Sequence, residues 1–283
     1  MCAARNSGEV FGEWPTASGR KVCTVTMAIH LRSAEELEKM HRAGLIVYQV
    51  LTELRDMVRP GITTMDLEKF AEAKLAGKPG RAAFKGYRGY PCVLCTSVNS
   101  EIVHGIPSPK RKLREGEIVS IDFGMEVDGY FADSAVTVPV GQITPELQKL
   151  LDVTRESLDR AIDKMRAGNR LGDVGHAVQS WAEQNGYSVV REFVGHGIGT
   201  KMHDEPNLPN YGDAGRGARL QEGMVIAVEP MVNAGSPEVR MRDEWVAETA
   251  DGKPSAHFEH TVAITANGPW ILTRPKEMTG PSW

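Results

Sequence analysis

The sequence predicts an α+β fold that is built from two similar halves. Two pairs of helix signals occur along the chain, and β-type segments follow each pair. The first pair contains Gly61 and Asp66, and the second contains Gly168 and Asp173 at the same spacing. This internal repeat has a period of roughly 110 residues. We therefore expect two pseudo-symmetric α+β halves around a central antiparallel sheet, with ligands drawn to the interface between them.

The first pair of helices is marked by capping and stop signals. One helix should begin after the capping-box sequence Ser33-Ala-Glu-Glu36 and end before Arg59-Pro60-Gly61. Thr64 is the predicted cap of the next helix, which should span residues 65 to about 76.

The second pair repeats this plan. The sequence Thr144-Pro145-Glu146 combines a cap with a proline at the first helical position, and this helix should run to about Met165. A fourth helix is predicted near residues 173–184. The β-type segments are residues 90–98, 118–138, 189–193, 224–230 and 257–265.

A predicted hairpin brings two aspartates together. Asp128-Gly129 lies between two alternating runs and is a strong signal for a two-residue turn. With that turn, Gly124 faces Asp133, and Asp122 projects from the same face as Asp133. The two carboxylates are then diagonal neighbours, roughly 7–8 Å apart by backbone. Like charges this close need a cation or a proton between them, unless both aspartates are simply solvated.

Three more candidate ligands lie in the second half. His196 is flanked by glycines in Gly195-His196-Gly197-Ile198-Gly199, while Glu229 and Glu259 lie in apolar strand patterns where an unpaired carboxylate is costly. Singly, these residues are also explained by a loop histidine and ion-paired glutamates. Together with the aspartates they form an oxygen-rich set that suits two ions of Mn, Fe, Co or Zn. Two such ions, about 3.5–4 Å apart, can activate a water molecule and polarise a carbonyl.

Composition excludes several classes of protein. The 283 residues are 41% hydrophobic, and the net charge of −4 gives no global nucleic-acid footprint. The basic run Lys110-Arg111-Lys112-Leu113-Arg114 is interpreted as a solvated loop, with docking to an anionic partner as the alternative. Four cysteines are too few for a disulfide framework, which favours reduced thiols in the cytoplasm. No apolar stretch is long enough to span a membrane.

The N-terminal residues lack the patterning of the rest of the chain. Residues 1–26 have no apolar signal-peptide core, and we expect a disordered extension there, with Met27 as an alternative start. Residues 27–283 should form a single catalytic domain with halves at about 27–143 and 144–275.

The ordered set Asp122, Asp133, His196, Glu229 and Glu259 resembles the type I methionine aminopeptidases of peptidase family M24. The segments Asn99-Ser-Glu-Ile-Val-His104-Gly-Ile-Pro107 and Glu229-Pro-Met-Val232 carry the same resemblance, which extends from about Met27 to Pro275. It implies the pita-bread fold. It also implies removal of the initiator methionine from nascent proteins and peptides by water that two divalent metal ions activate.

The resemblance also implies individual roles for these residues. Asp122 and Asp133 would hold one metal ion. The second ion would be held by His196, Glu229 and two bridging residues, Asp133 and Glu259. Glu229 would also serve as the general acid and base.

Further roles follow from the resemblance for residues around the ligands. His104 and His203 would contact the substrate and stabilise the tetrahedral intermediate. The pocket for the methionine side chain would be lined by Tyr87, Tyr90, Cys95, Met202 and Trp245. Met202 departs from the aromatic residue that bacterial members often have. Asn99 and Ser255 fall near the family's monovalent-cation site for Na⁺ or K⁺.

The resemblance implies peptides and nascent chains as partners. A transient contact with the ribosome is compatible with nascent chains as substrates. We expect a monomeric, cytoplasmic enzyme that has neither nucleic acid nor membranes as partners. The remaining histidines receive structural interpretations: His30, His41 and His176 as solvated or partly packed, and His257 and His260 as supports of the strand around Glu259.

Three alternatives stay open. An Xaa-Pro aminopeptidase or prolidase shares the fold, but such relatives usually carry a large N-terminal domain, and only a short segment precedes the first predicted helix here. A type II enzyme would carry a helical insertion between His203 and Glu229, where this segment is short. An inactive binding module would tend to lose ligands, yet all five are present.

Overall fold

The computed structural model describes residues 29–281 and Trp283. The predicted N-terminal extension and the alternative start at Met27 lie outside these residues. Within the described part of the chain the helices are α1 (Ala34–Met57), α2 (Thr64–Leu75), α3 (Pro145–Lys164) and α4 (Leu171–Gln184), with one 3₁₀ turn at Tyr87–Gly89. None of the helices in this part is long and apolar enough to cross a membrane.

The described strands pair in antiparallel fashion and form four sheets. In chain order they are β1 (Arg81–Ala82), β2 (Leu94–Val98), β3 (Glu101–Val103), β4 (Ile118–Val127), β5 (Tyr130–Pro139), β6 (Ser188–Val189), β7 (Gly195–Gly197), β8 (Asp204–Leu208), β9 (Val225–Val228), β10 (Met231–Asn233), β11 (Val239–Met241), β12 (Ala247–Thr249), β13 (Ser255–His257), β14 (His260–Thr265) and β15 (Gly268–Ile271). In the largest sheet the order is β15-β14-β9-β7-β8. A second sheet is centred on β4, which pairs with β5, β2 and β1.

The helix starts confirm the predicted caps Ser33 and Thr144 and correct the predicted cap Thr64. At α1 the Ser33 hydroxyl accepts from the Glu36 N–H, and the Glu36 carboxylate accepts from the Ser33 N–H, which completes the predicted capping box. The prediction of Thr64 as the cap of α2 is wrong by one residue. Thr63 is the cap, because its hydroxyl accepts from the Asp66 N–H and the Asp66 carboxylate accepts from the Thr63 N–H over 2.7 Å.

Helix α4 starts two residues earlier than the predicted start near Asp173. The Asp173 carboxylate accepts from the Arg170 N–H over 2.7 Å, so this aspartate is the third residue of the helix rather than the first. The predicted strand at residues 189–193 is also largely wrong, since only Val189 of that segment pairs, within β6.

The central hairpin has the predicted register. Val127 pairs with Tyr130, and Gly124 pairs with Asp133. Asp128 and Gly129 form the turn with φ angles of 52° and 81°, the two positive values that a type I′ turn requires. Asp122 therefore lies on the same face of the sheet as Asp133.

The internal repeat extends to backbone hydrogen bonds. The Gly61 N–H donates to the Leu113 carbonyl over 2.9 Å and ties the loop before α2 to the loop before β4. The Gly168 N–H donates to the Leu220 carbonyl over 3.0 Å and ties the loop before α4 to the loop before β9. Equivalent loops thus meet in both halves, as a duplicated α+β unit requires. The boundary between residues 143 and 144 stays a prediction.

Helix α1 packs closely on the C-terminal part of the chain at Gly44. A Cβ atom at this position would lie 2.2 Å from the Leu272 carbonyl oxygen, so the helix and the backbone approach closely only because residue 44 is glycine. His41, one turn earlier, is buried and its Nδ1 lies 2.8 Å from the same carbonyl oxygen. His41 is therefore a buried packing residue of this contact.

We expect Gly44→Ala to destabilise the protein. Alanine gains about 1 kcal/mol of helix propensity over glycine, but the clash is with a backbone carbonyl that no rotamer change can relieve. The net loss in the free energy of unfolding should be about 1–2 kcal/mol. Urea denaturation of Gly44→Ala and of Leu45→Ala, at the adjacent exposed position, measures it. Wild-type stability of Gly44→Ala would contradict the contact.

Candidate metal centre

A cavity of about 490 Å³, which includes its open mouth, lies where the two halves meet. It is lined by Phe84, Cys95, Val103, His104, Asp122, Asp133, Phe193, Val194, His196, Met202, His203, Glu229, His257 and Glu259. All five predicted metal ligands are in this set, together with both predicted substrate-contacting histidines. Residues far apart in sequence thus meet in one cavity.

Hydrogen bonds between β5 and residues 257–261 join the two halves beside the cavity. The Asp133 N–H donates to the Thr261 hydroxyl oxygen over 3.1 Å, and that hydroxyl lies 3.0 Å from the Asp133 carboxylate. The Glu259 N–H donates to the Ala135 carbonyl over 2.9 Å. We call these contacts the β5 seam. It fixes Asp133 and Glu259 relative to each other, and both are almost completely buried.

His196 completes a compact group with these two carboxylates. One ligand atom each from Asp133, His196 and Glu259 lie within 4.8 Å of one another. The His196 Nε2 atom is 3.6 Å from an Asp133 oxygen and 3.5 Å from a Glu229 oxygen. Its Nδ1 atom lies 3.0 Å from the Gly197 carbonyl, which fixes a proton there and turns the Nε2 lone pair toward the carboxylates.

The electrostatics of this group favour a bound cation. Burial, and then repulsion from Asp133, raise the pKa of Asp122, Glu229 and Glu259 well above the usual values. Burial likewise lowers the pKa of His196 to about 3, so its imidazole is neutral and available as a ligand. One Asp122 oxygen is buried without a hydrogen-bond partner. Divalent cations would compensate these carboxylates, and the donor set fits them.

The two non-ligand histidines line the cavity and have different neighbours. The His203 ring is 4.2 Å from the His196 ring, and its Nδ1 atom is 2.9 Å from the Tyr87 hydroxyl oxygen. His104 has a φ angle of 63° and packs edge-on against Phe193. A backbone conformation this sparsely populated persists only where its surroundings enforce it, as at binding sites.

The predicted side-chain pocket divides into an inner and an outer group. Cys95 and Met202 line the cavity itself. Tyr87, Tyr90 and Trp245 are outside this lining set and pack in the apolar cluster that contains Cys95 and Met202. Tyr90 is fully buried with its hydroxyl 2.9 Å from the Leu94 carbonyl oxygen, and its ring packs edge-on against Trp245.

The two residues assigned to the monovalent-cation site are neighbours. The Ser255 N–H donates to the Asn99 carbonyl over 2.9 Å, and Asn99 has a φ angle of 54°. The contact joins β13 to the turn between β2 and β3.

His257 is a cavity residue that the sequence interpretation treated as a support of the strand. Its Nε2 atom is buried, has no hydrogen-bond partner, and lies 3.9 Å from a Glu229 oxygen. Its position two residues before Glu259 was the available signal, because alternate residues of an extended segment share a face. The apolar lining residues Phe84, Phe193 and Val194 were also missed, and no motif marked them. His260 faces away from the cavity toward Ser134 and Thr273.

Comparison with known proteins identifies one family over most of the chain. The family model described as metallopeptidase family M24 matches residues 38–266. The methionine aminopeptidase of Clostridium acetobutylicum is 46% identical over 246 residues, which cover 87% of this chain and 98% of that protein.

Solved structures give the same result. The methionine aminopeptidase of Thermotoga maritima superposes with a TM-score of 0.86 at 43% identity, covering 88% of this chain and all of that chain. A prolidase of Pyrococcus horikoshii has a TM-score of 0.69 at 20% identity and is covered over 65% of its length. At that identity the prolidase shares the fold alone.

We expect divalent cations to stabilise the protein through the carboxylate group. Adding Mn²⁺ to chelator-treated protein at about 100 times its dissociation constant should raise the melting temperature by roughly 5–10 °C, because the folded state alone holds the ligands together. Asp133→Asn should remove most of this shift, since Asp133 belongs to the compact group with His196 and Glu259. Asp128→Asn, in the turn of the same hairpin, should keep it. An equal shift in both variants would contradict the site.

Proposed function

Because the chain belongs to metallopeptidase family M24 and to its methionine aminopeptidases, we propose that it removes the initiator methionine from nascent proteins and peptides. The observation that carries this proposal is the meeting of Asp133, His196 and Glu259 in one buried cavity, on a chain that is similar to these enzymes over nearly its whole described length. Water is the second reactant, and the products are free methionine and the shortened peptide.

The five ligands divide between two divalent cations in this proposal. Asp122 and Asp133 would hold one ion, and His196 and Glu229 would hold the other, with Asp133 and Glu259 available to both. When bound, such ions lower the pKa of water and polarise a carbonyl group. Cobalt, manganese, iron and zinc all suit these donors, and a monovalent cation near Asn99 and Ser255 belongs to the same proposal.

Glu229 is the proposed proton carrier. It follows β9 at the cavity wall, with one oxygen 3.5 Å from His196 and the other 3.9 Å from His257. As a carboxylate beside the candidate ligands, Glu229 can take a proton from the attacking water and hold it. It then delivers this proton to the leaving amine of the shortened peptide.

His203 and His104 are the proposed donors to the substrate. Burial lowers the pKa of both rings, so each is neutral. If the Tyr87 hydroxyl donates to Nδ1 of His203, the hydrogen of that ring resides on Nε2, where it can stabilise the oxyanion that develops during attack. His104 is the second such donor.

The methionine side chain would occupy the apolar part of the cavity. Cys95 and Met202 line this part together with Phe84, and these soft or apolar side chains suit a thioether. Tyr90 and Trp245 support the wall from behind. A peptide substrate, a cytoplasmic location, a monomeric state and a transient ribosome contact form the wider proposal.

Two other activities are less well supported. Xaa-Pro peptidases share the fold at about half the sequence identity of the methionine aminopeptidases. An inactive binding module has no reason to keep five candidate ligands around one cavity, three of them buried, since burying carboxylates is costly.

The substrate class can be tested with two peptides. The metal-loaded protein should release methionine from Met-Ala-Ser and should leave Xaa-Pro peptides intact, because the cavity suits a free N-terminal thioether residue. Chromatographic quantification of free amino acids with and without a chelator measures both reactions. Activity on the Xaa-Pro peptides alone would overturn the assignment.

The ligand assignment can be tested separately. Asp122→Ala and Glu259→Ala should each abolish methionine release while the protein stays folded, because each removes a ligand from the shared centre. The matched control is Asp128→Asn, which changes an exposed carboxylate of the same hairpin. Circular dichroism checks the fold of each variant. Full turnover in the two ligand variants would contradict the assignment.

A further inference from the structure

Arg32 is a buried cation outside the cavity. It precedes α1, and its N–H donates to the Gly223 carbonyl over 2.7 Å, which anchors its backbone beside β9. Its side chain is only 8% exposed. Taking a guanidinium group out of water costs several kcal/mol unless carboxylates lie next to it. The position of this charge therefore needs an explanation.

Two carboxylates flank the Arg32 guanidinium. Asp204 approaches one terminal nitrogen to 3.6 Å, and Glu36 approaches the other to 3.8 Å. The Asp204 side chain is itself only 9% exposed. The nitrogens of Lys201 and His30 also lie 3.9 Å from Asp204, but those two side chains are mostly exposed. Arg32 is thus the buried counter-charge of Asp204.

Gly199 makes room for the same guanidinium. A Cβ atom at residue 199 would lie 2.2 Å from an Arg32 terminal nitrogen. Gly199 is also tied to the central hairpin, because its carbonyl accepts from the Phe131 N–H over 2.7 Å. The third glycine of the Gly195–Gly199 motif is therefore explained by its contact with Arg32.

The segment between these two contacts carries cavity residues. Residues 198–203 connect β7, which holds His196, to β8, which begins at Asp204. Met202 and His203 lie in this loop and line the cavity. Arg32 contacts the loop near its start, at Gly199, and just after its end, at Asp204.

We propose that Arg32 is a positioning residue for the reaction, because its ion pair with Asp204 and its packing on Gly199 fix the loop that presents Met202 and His203 to the substrate. The inference rests on the proposed function, since His203 acts in that reaction. Arg32 itself does not line the cavity, so its effect passes through the loop. Small displacements of a positioned donor are costly for turnover.

The kinetic test is a double-mutant cycle between Arg32 and His203. Arg32→Met should lower kcat for Met-Ala-Ser on the order of ten- to a hundredfold, with a smaller change in KM. It should add less than about twofold to the loss caused by His203→Ala, because both changes remove the same contribution. Independent losses that multiply, or a kcat for Arg32→Met within twofold of wild type, would overturn the proposal.

Two further variants separate positioning from general stability. Arg42→Met removes the exposed ion pair between Arg42 in α1 and Asp128 in the turn of the central hairpin. This variant should leave kcat unchanged. Arg32→Lys keeps the charge but loses the planar fork, so it should fold and recover part of kcat. If Arg32→Met does not fold, Arg32→Lys decides the question: kcat below wild type supports the proposal, and wild-type kcat overturns it.

Hydrogen exchange of residues 198–204 in chelator-treated protein gives a readout without catalysis. Exchange should be about tenfold faster in Arg32→Met or Arg32→Lys than in wild type or Arg42→Met. Unchanged exchange would overturn the proposal that Arg32 fixes this loop. If wild-type protein releases no methionine, the proposed function fails, while this measurement still decides whether Arg32 holds the loop.

Discussion

The β5 seam is the contact on which the candidate centre depends. Asp133 comes from the first half of the chain and Glu259 from the second, and the hydrogen bonds of their N–H groups to the Thr261 hydroxyl and the Ala135 carbonyl set their separation. Four carboxyl groups gathered in a buried cavity repel one another, so the backbone must hold them before any cation can compensate them. Because the seam uses main-chain groups of both halves, the site exists only when the two halves pack together.

The internal repeat explains why ligands come from both halves. Asp122 lies on β4 and Glu229 follows β9, and each of these strands is preceded by a loop that pairs with a helix start of its own half. The segments of β4 and β9 thus contribute one carboxylate from each half, and Asp133 and Glu259 add a second one from each. His196 then adds a neutral imidazole from β7, which is the neighbour of β9 in the same sheet. The fold and the chemistry of the site are consequences of one symmetric packing.

Features that neighbouring residues determine could be predicted from the sequence, whereas features that depend on residues distant along the chain could not. The Asp128-Gly129 turn fixes its own register, so the relation of Asp122 to Asp133 could be read from neighbouring residues. The inner and outer positions around the pocket could not, because the packing of Tyr90 and Trp245 depends on segments distant in sequence. Thr63 was missed as a cap because two adjacent threonines compete, and the position of Asp66 selects between them.

The site combines two kinds of support that differ in rigidity. The metal ligands Asp122 and Asp133 lie on the paired strands β4 and β5, and Glu259, between β13 and β14, is fixed by the hydrogen bond of its N–H to the Ala135 carbonyl. His203 lies on a loop, and a loop with few backbone bonds opens more readily than a strand. A buried ion pair at its end is a means of restricting such a loop, since breaking it would leave the buried Asp204 carboxylate with only the mostly exposed side chains of Lys201 and His30 as counter-charges. The position of His203 therefore depends on the side-chain contact between Arg32 and Asp204. The positions of Asp133 and Glu259 depend instead on hydrogen bonds of their backbone N–H groups.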